Sequence, residues 1–157
     1  MVVDTSALIA ILDDEPERRL FNRMIEAATA TYVSAASLLE TRIVLFARSG
    51  DAAVLALDAF LLKSRMQVME VSPRIADIAF DAYRKCGKGT GHGASLNYGD
   101  CLSYALAKHL DAALLFKGDD FSRTDLRAAT DELTTRPDES DARVEWEPGD
   151  GNEPAHS

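Results

Sequence analysis

The sequence predicts an α/β protein: a three-layer α/β/α sandwich around a mostly parallel central sheet. Two observations carry this. Short runs of β-branched and other apolar residues (Val2-Val3, Thr31-Tyr32-Val33, Met66 to Val71, Ala112 to Phe116) alternate with longer stretches of helical apolar spacing. The junctions carry residues that start or stop helices: Ser34, Ser72 followed by Pro73, and Gly50. Strand–helix–strand alternation builds a parallel sheet whose crossover helices cover both faces. A chain of 157 residues suffices for one such domain with a real core.

The chain opens on Met1-Val2-Val3-Asp4-Thr5-Ser6, a buried strand running into a turn that carries a carboxylate. Thr5 or Ser6 is expected to cap the helix through Ala7-Leu8-Ile9-Ala10-Ile11-Leu12. Pro16 and Glu17 open a second helix, with Leu20, Phe21, Met24, Ile25 and Ala28 on one face. After strand two, Ser34 caps a helix over 35–48 that ends at Gly50 and holds Glu40 among apolar neighbours. A further helix covers 51–63. Strand three covers 66–71, and the helix opened by Ser72-Pro73 runs to about Tyr83. Residues 87–95 form a glycine-rich loop without the Gly-Lys-Ser/Thr ending of a phosphate-binding loop. It is read as mobile, with Lys88 available for a phosphate; a plain surface linker is the competing reading. Asp100 then precedes a helix from Cys101 to Leu110, and strand four (112–116) leads into Lys117-Gly118-Asp119-Asp120-Phe121. The domain is expected to span residues 1–130. Beyond it, 131–157 reads as an acidic tail, disordered in isolation, with Val144 and Trp146 able to anchor it.

Charge and composition bound the function. The formal net charge is −9; residues 131–157 hold nine acids against two bases, a net of −7, which leaves −2 for residues 1–130. Acidity normally argues against nucleic-acid binding, but here it lies mostly outside the folded body. No apolar run reaches the roughly 18 residues that span a bilayer, and the N-terminus reads as core strand rather than signal peptide. Cys86 and Cys101 lack metal-type spacing, so a reduced, cytoplasmic setting is expected.

Four acids occupy comparable positions: Asp4 after strand one, Glu40 on the helix after strand two, Asp100 at a helix start, and Asp119 or Asp120 after strand four. In a parallel sheet these positions converge on the carboxyl edge, where such folds bind ligands. Carboxylates gathered in one cleft repel one another unless a hard cation compensates, and oxygen-only ligation suits Mg²⁺ or Mn²⁺. Zinc is disfavoured, because His92, His109 and His156 are not spaced as a site. Cations on carboxylates point to phosphodiester hydrolysis by activated water, and the sequence offers no Ser-His-Asp set or activated cysteine as a protein nucleophile. Each acid has a plainer reading: Asp4 or Asp100 as a helix cap, Glu40 as a surface residue, one of the adjacent pair as a turn former.

Four segments carry a family resemblance: V-V-D-T-S-A-L-I-A-I-L, S-A-A-S-L-L-E, L-N-Y-G-D-C-L-S-Y-A-L-A-K and L-L-F-K-G-D-D-F-S-R-T-D-L. Together, in this order, they resemble the PIN-domain family, and above all the VapC toxins of bacterial VapBC toxin–antitoxin pairs. The likeness covers about residues 1–130. It implies an endoribonuclease dependent on Mg²⁺, with Mn²⁺ able to substitute, inhibited by a VapB-like antitoxin and homodimeric. By motif, Asp4, Glu40 and Asp100 match the family's first three acids. Asp119 is favoured as the fourth, nearer the metal, with Asp120 the alternative. Thr5 and Ser6 are expected to support the site from behind. Lys88, Lys117, Arg42 and Arg84, with Lys85 and Arg123, are candidates for an RNA-facing rim; Tyr98 and Phe121 are candidates for base stacking, with core packing the better expectation for Phe121. The target expected is a structured RNA cut at a single-stranded site. A PIN nuclease of RNA processing or decay, or a catalytically silent binding module, are the alternatives. The tail departs from the usual VapC, which stops near residue 130; one expectation is that it competes electrostatically with RNA.

Overall fold

The computed structural model describes residues 1–134. Its elements follow the alternation: β1 (Val2–Val3), α1 (Thr5–Leu12), α2 (Arg18–Ala27), β2 (Tyr32–Ser34), α3 (Ala35–Ser49), α4 (Asp51–Ser64), β3 (Gln67–Met69), α5 (Pro73–Cys86), α6 (Tyr98–His109), β4 (Leu114–Leu115) and α7 (Asp131–Thr134). The strands are shorter than expected and the helices longer. The sheet is entirely parallel, in the order β3-β2-β1-β4. Val2 pairs with Tyr32 on one side and Leu114 on the other; Val33 pairs with Val68.

Alternation along the strands sorts side chains into two cores. Val3, Val33 and Leu115 face one layer, where they pack with Leu8, Phe21, Ile25, Leu45, Leu57 and Leu61 of α1 to α4. Val2 and Leu114 face the other, with Ile75, Ala79, Leu102, Ala105 and Leu106 of α5 and α6. Strands buried on both faces read as continuous apolar runs, as Val2-Val3 and Leu114-Leu115 do. The outer edge of β4 is covered by residues 127–129, through Leu114 N–H to the Arg127 carbonyl and Ala129 N–H to the Leu114 carbonyl.

Several local expectations need correction. Asp4, not Thr5 or Ser6, caps α1: its backbone is extended and its carboxylate accepts from Ser6 N–H. Helix α6 begins at Tyr98, three residues earlier than expected, because Asn97 and Asp100 form a reciprocal capping box. Helix α5 runs on to Cys86. The glycine-rich loop is joined at its two ends. Lys88 N–H donates to the Leu96 carbonyl and Leu96 N–H to the Cys86 carbonyl, both at 2.8 Å, while Ala94 and Leu96 are buried. Helix α7 lies inside the stretch read as tail; the expectation for the rest of that stretch, residues 135–157, falls outside the described residues.

Candidate active site

The strand order decides where a site can form. From β1 the chain crosses to β2 and β3 on one side, then returns to place β4 on the other, so the order reverses between β1 and β4. Such a switch point opens a crevice beyond the carboxyl ends of the two strands. Asp4 follows β1 directly, and Lys117 to Asp120 follow β4.

Ser6 joins these two ends. Its hydroxyl accepts from Lys117 N–H at 3.0 Å and donates to Asp4 Oδ2 at 2.7 Å. Asp4 Oδ2 also accepts from Ser6 N–H at 2.9 Å, which holds a buried carboxylate in one orientation. Thr5 works on Glu40: its hydroxyl lies 3.0 Å from Glu40 Oε2 and 3.2 Å from the Ser37 carbonyl. Thr5 and Ser6 therefore each touch one of the candidate acids.

Helices α3 and α6 bring the other two acids together. At their crossing the buried Ser37 and Ser103 hydroxyls meet at 3.0 Å, and such small residues permit a close approach. Glu40 lies on α3, one turn beyond Ser37. Asp100 sits at the third position of α6, where Oδ2 accepts from Asn97 N–H at 2.8 Å. Its pKa is pushed up to about 6, first by burial and then by the charges of Asp4, Asp120 and Glu40, against a lowering from the Asn97 N–H. A carboxyl that feels three other carboxylates lies inside a shared negative field. Of the two acids after β4, Asp120 is the one felt at Asp100. That favours the alternative assignment over Asp119, although both are exposed.

Among the described residues no ion pair involves Asp4, Glu40, Asp100 or Asp120. Nor do three acids, histidines or cysteines there converge closely enough to form a ready metal cage. The donor chemistry nevertheless fits a hard divalent cation: oxygen donors only, with no cationic side chain paired to them among the described residues. Asp4, Asp100 and Asp120 would hold it, with Glu40 beside them.

The candidate rim is less uniform than the sequence suggests. The Lys117 ammonium bonds to Glu15 and also meets Glu17 at 3.0 Å, contacts that raise its pKa. It braces the loop after β4 against the start of α2. Arg42 pairs with Asp58 of α4 at 2.8 Å, and Arg84 approaches Asp81 at 3.8 Å. Lys88 is exposed, and no ion pair among the described residues engages it. Phe121 is buried against Phe116, as core packing requires. Tyr98 is 80% exposed two residues before Asp100. Gly99, between them, lies ahead of the helix expected from Cys101 but takes the second position of α6 in the structure.

Comparison with known proteins gives the family of the chain. The family model described as "PIN domain" matches residues 1–126. Ribonuclease VapC30 of Mycobacterium tuberculosis is 48% identical over 126 residues, covering 80% of this chain and 95% of that protein. Ribonuclease VapC of Mycolicibacterium smegmatis is 47% identical over 128 residues, covering 82% and 98%. Among solved structures, Mycobacterium tuberculosis VapC20, described as a sarcin-ricin loop cleaving toxin, superposes with a TM-score of 0.66 at 20% identity, covering 80% of this chain and 95% of that one. VapBC2 of Rickettsia felis, solved bound to promoter DNA, gives 0.64 at 15% identity, covering 81% and 94%.

Proposed function

The chain belongs to the PIN-domain family, and from that premise we propose that it is a VapC-type endoribonuclease, the toxin of a type II toxin–antitoxin pair. The observation that carries this reading is the negative field at the β1/β4 switch point, where Asp100 feels Asp4, Asp120 and Glu40. A divalent cation, Mg²⁺ with Mn²⁺ able to substitute, supplies Lewis acidity and acidifies water there when bound. Asp4, aimed by Ser6, and Asp100, aimed by the capping box, would hold that cation together with Asp120, with Glu40 beside them.

Among the described residues, neither the hydroxyl that touches Asp4 nor the thiol beside Asp100 is free to act as the nucleophile. The Ser6 hydroxyl is engaged between Lys117 and Asp4. Cys101 is buried, and its thiol is pushed up to about 11, mainly by that burial. RNA approaches over exposed groups, with Lys88 and Arg84 as phosphate contacts and Tyr98 as a base platform. Arg42 and Lys117 act there only where their acidic partners release them.

A VapB-like antitoxin and a second copy of the chain are the proposed protein partners, and the cytoplasm the proposed setting. No helix among the described residues is long and apolar enough to cross a membrane. Leu39, Ile43 and Phe46 on α3, with Leu55 and Leu62 on α4, expose apolar surface that such partners would cover.

Purified antitoxin-free protein should cut total cellular RNA into discrete fragments with Mg²⁺ and leave it whole with EDTA. Asp4→Asn and Asp100→Asn should abolish cutting without loss of fold. Cutting that survives EDTA or either variant refutes the carboxylate site. Expression should arrest growth only with the acids intact; arrest by the Asp100→Asn chain rules out toxicity through this chemistry.

A further inference from the structure

We propose that Gly99 is a positioning residue for Glu40: its missing side chain is the slot in which the Glu40 carboxylate sits, where α3 meets α6. The inference deepens the carboxylate-site reading and rests on it. A Cβ placed on Gly99 would lie 2.5 Å from Glu40 Oε2 and 3.1 Å from Glu40 Cδ and Oε1. No carbon approaches a carboxylate oxygen so closely without one of them moving.

Backbone conformation does not explain the glycine. Gly50, Gly89, Gly91 and Gly118 have positive φ, and Gly99 does not. It occupies the second position of α6, where alanine would be the better helix former. The space is what an alanine could not share. Glu40 Oε2, the oxygen that would be struck, is the one that faces the Thr5 hydroxyl at 3.0 Å. The same carboxylate oxygen thus meets both the Thr5 hydroxyl and the space left bare at Gly99. The next residue after Gly99 is Asp100, which feels the Glu40 charge. The Gly99 contact therefore sets how closely the α3 acid approaches the α6 acid.

The obstructed group is the tip of a flexible side chain, so a methyl at position 99 should displace the carboxylate and leave the helix in place. Two readouts test this on purified full-length protein. The first is Mn²⁺ affinity by calorimetry. Gly99→Ala should weaken it about tenfold or more, whereas in a Glu40→Ala background the same change should shift it less than about twofold. The second is melting in EDTA, which needs no metal. With alanine at 40, Gly99→Ala should raise Tm by about 3 °C through helix propensity; with Glu40 present the gain should shrink or reverse. Mn²⁺ binding unaffected by Gly99→Ala, or equal Tm shifts in both backgrounds, overturns the proposal. A wild-type protein that binds no Mn²⁺ overturns the site reading itself, and this inference with it.

Discussion

A single hydroxyl ties the β1 turn to the β4 loop. Ser6 uses both its acceptor and donor capacity, on Lys117 N–H and Asp4 Oδ2. Ser6→Ala would leave a part-buried amide without its acceptor and Asp4 with one donor instead of two. Such losses cost about 1–3 kcal/mol, and loosened ligand orientation costs about 10–100-fold in metal affinity or activity. Urea denaturation and initial cleavage rates should show both together; full activity in Ser6→Ala would mean that Asp4 needs no such aiming. The adjacent acids after β4 make a sharper comparison. Asp120→Asn should lower cleavage at least about tenfold, while Asp119→Asn should stay near wild type, since Asp120 is the charge felt at Asp100. The reverse ranking would restore Asp119 to the metal. This choice was not legible in the sequence, because adjacent residues in a turn point in directions that only the turn geometry decides. Asp4 and Asp100 could be singled out as candidates because one follows a strand and the other opens a helix whose class was evident; Glu40, six residues into α3, stood out only by its apolar neighbours and the motif around it. The commitment of Lys117 to Glu15 and Glu17 was not, because those partners lie about a hundred residues away in the chain.

Between elements, the α3/α6 crossing governs the site more than either helix alone. Ser37 and Ser103 are 1% exposed each, and they meet without intervening bulk. Ser103→Val puts a larger branched side chain into that contact and removes a hydroxyl partner from Ser37. Overpacking of this kind costs about 1–3 kcal/mol, and the wedge should carry Glu40 away from Asp100. The expected result is a lowered Tm accompanied by weaker Mn²⁺ binding; Ser103→Ala, which removes the bond without adding bulk, should lose stability and keep most of the affinity. A Ser103→Val protein that binds Mn²⁺ normally would show that the helix spacing does not control the acids. Helix periodicity announced α3 and α6 as elements, but their crossing partners depend on sheet order. The start of α6 was missed for a local reason: the Asn97–Asp100 box departs from the usual Ser/Thr and Glu/Gln pairing.

At the scale of the whole molecule, the fold sets Asp4 and Asp120 beyond neighbouring strands at one sheet edge, with Asp100 and Glu40 on the helices α6 and α3. The parallel class and the sandwich were evident from alternation; the β3-β2-β1-β4 order was not, since short apolar runs carry no record of which neighbour they will meet. In the folded chain Asp100 is pushed up first by its burial and then by the charges of Asp4, Asp120 and Glu40, and this has a definite pH dependence. Asp100 titrates near 6 in the folded protein and near the ordinary 3.8 when unfolded. Between these values the native state binds the extra proton, so stability is present below the unfolded value and lost as pH rises through the folded one. In EDTA, Asp100→Asn should therefore melt higher than wild type at pH 7, because an amide keeps the bond from Asn97 N–H without burying a charge beside Asp4, Asp120 and Glu40. The difference should shrink towards pH 4, where the wild-type carboxyl is itself protonated. Saturating Mg²⁺ should reverse the order, since a ligand bound only to the folded state adds stability in proportion to RT ln(1 + [L]/Kd) and the variant has lost a ligand for it. Melting curves at pH 4 and 7, with EDTA and with Mg²⁺, measure all of this on two proteins. An Asp100→Asn variant less stable than wild type in EDTA at pH 7 would show that Asp100 serves the fold as a cap first, and that the negative field costs the molecule nothing.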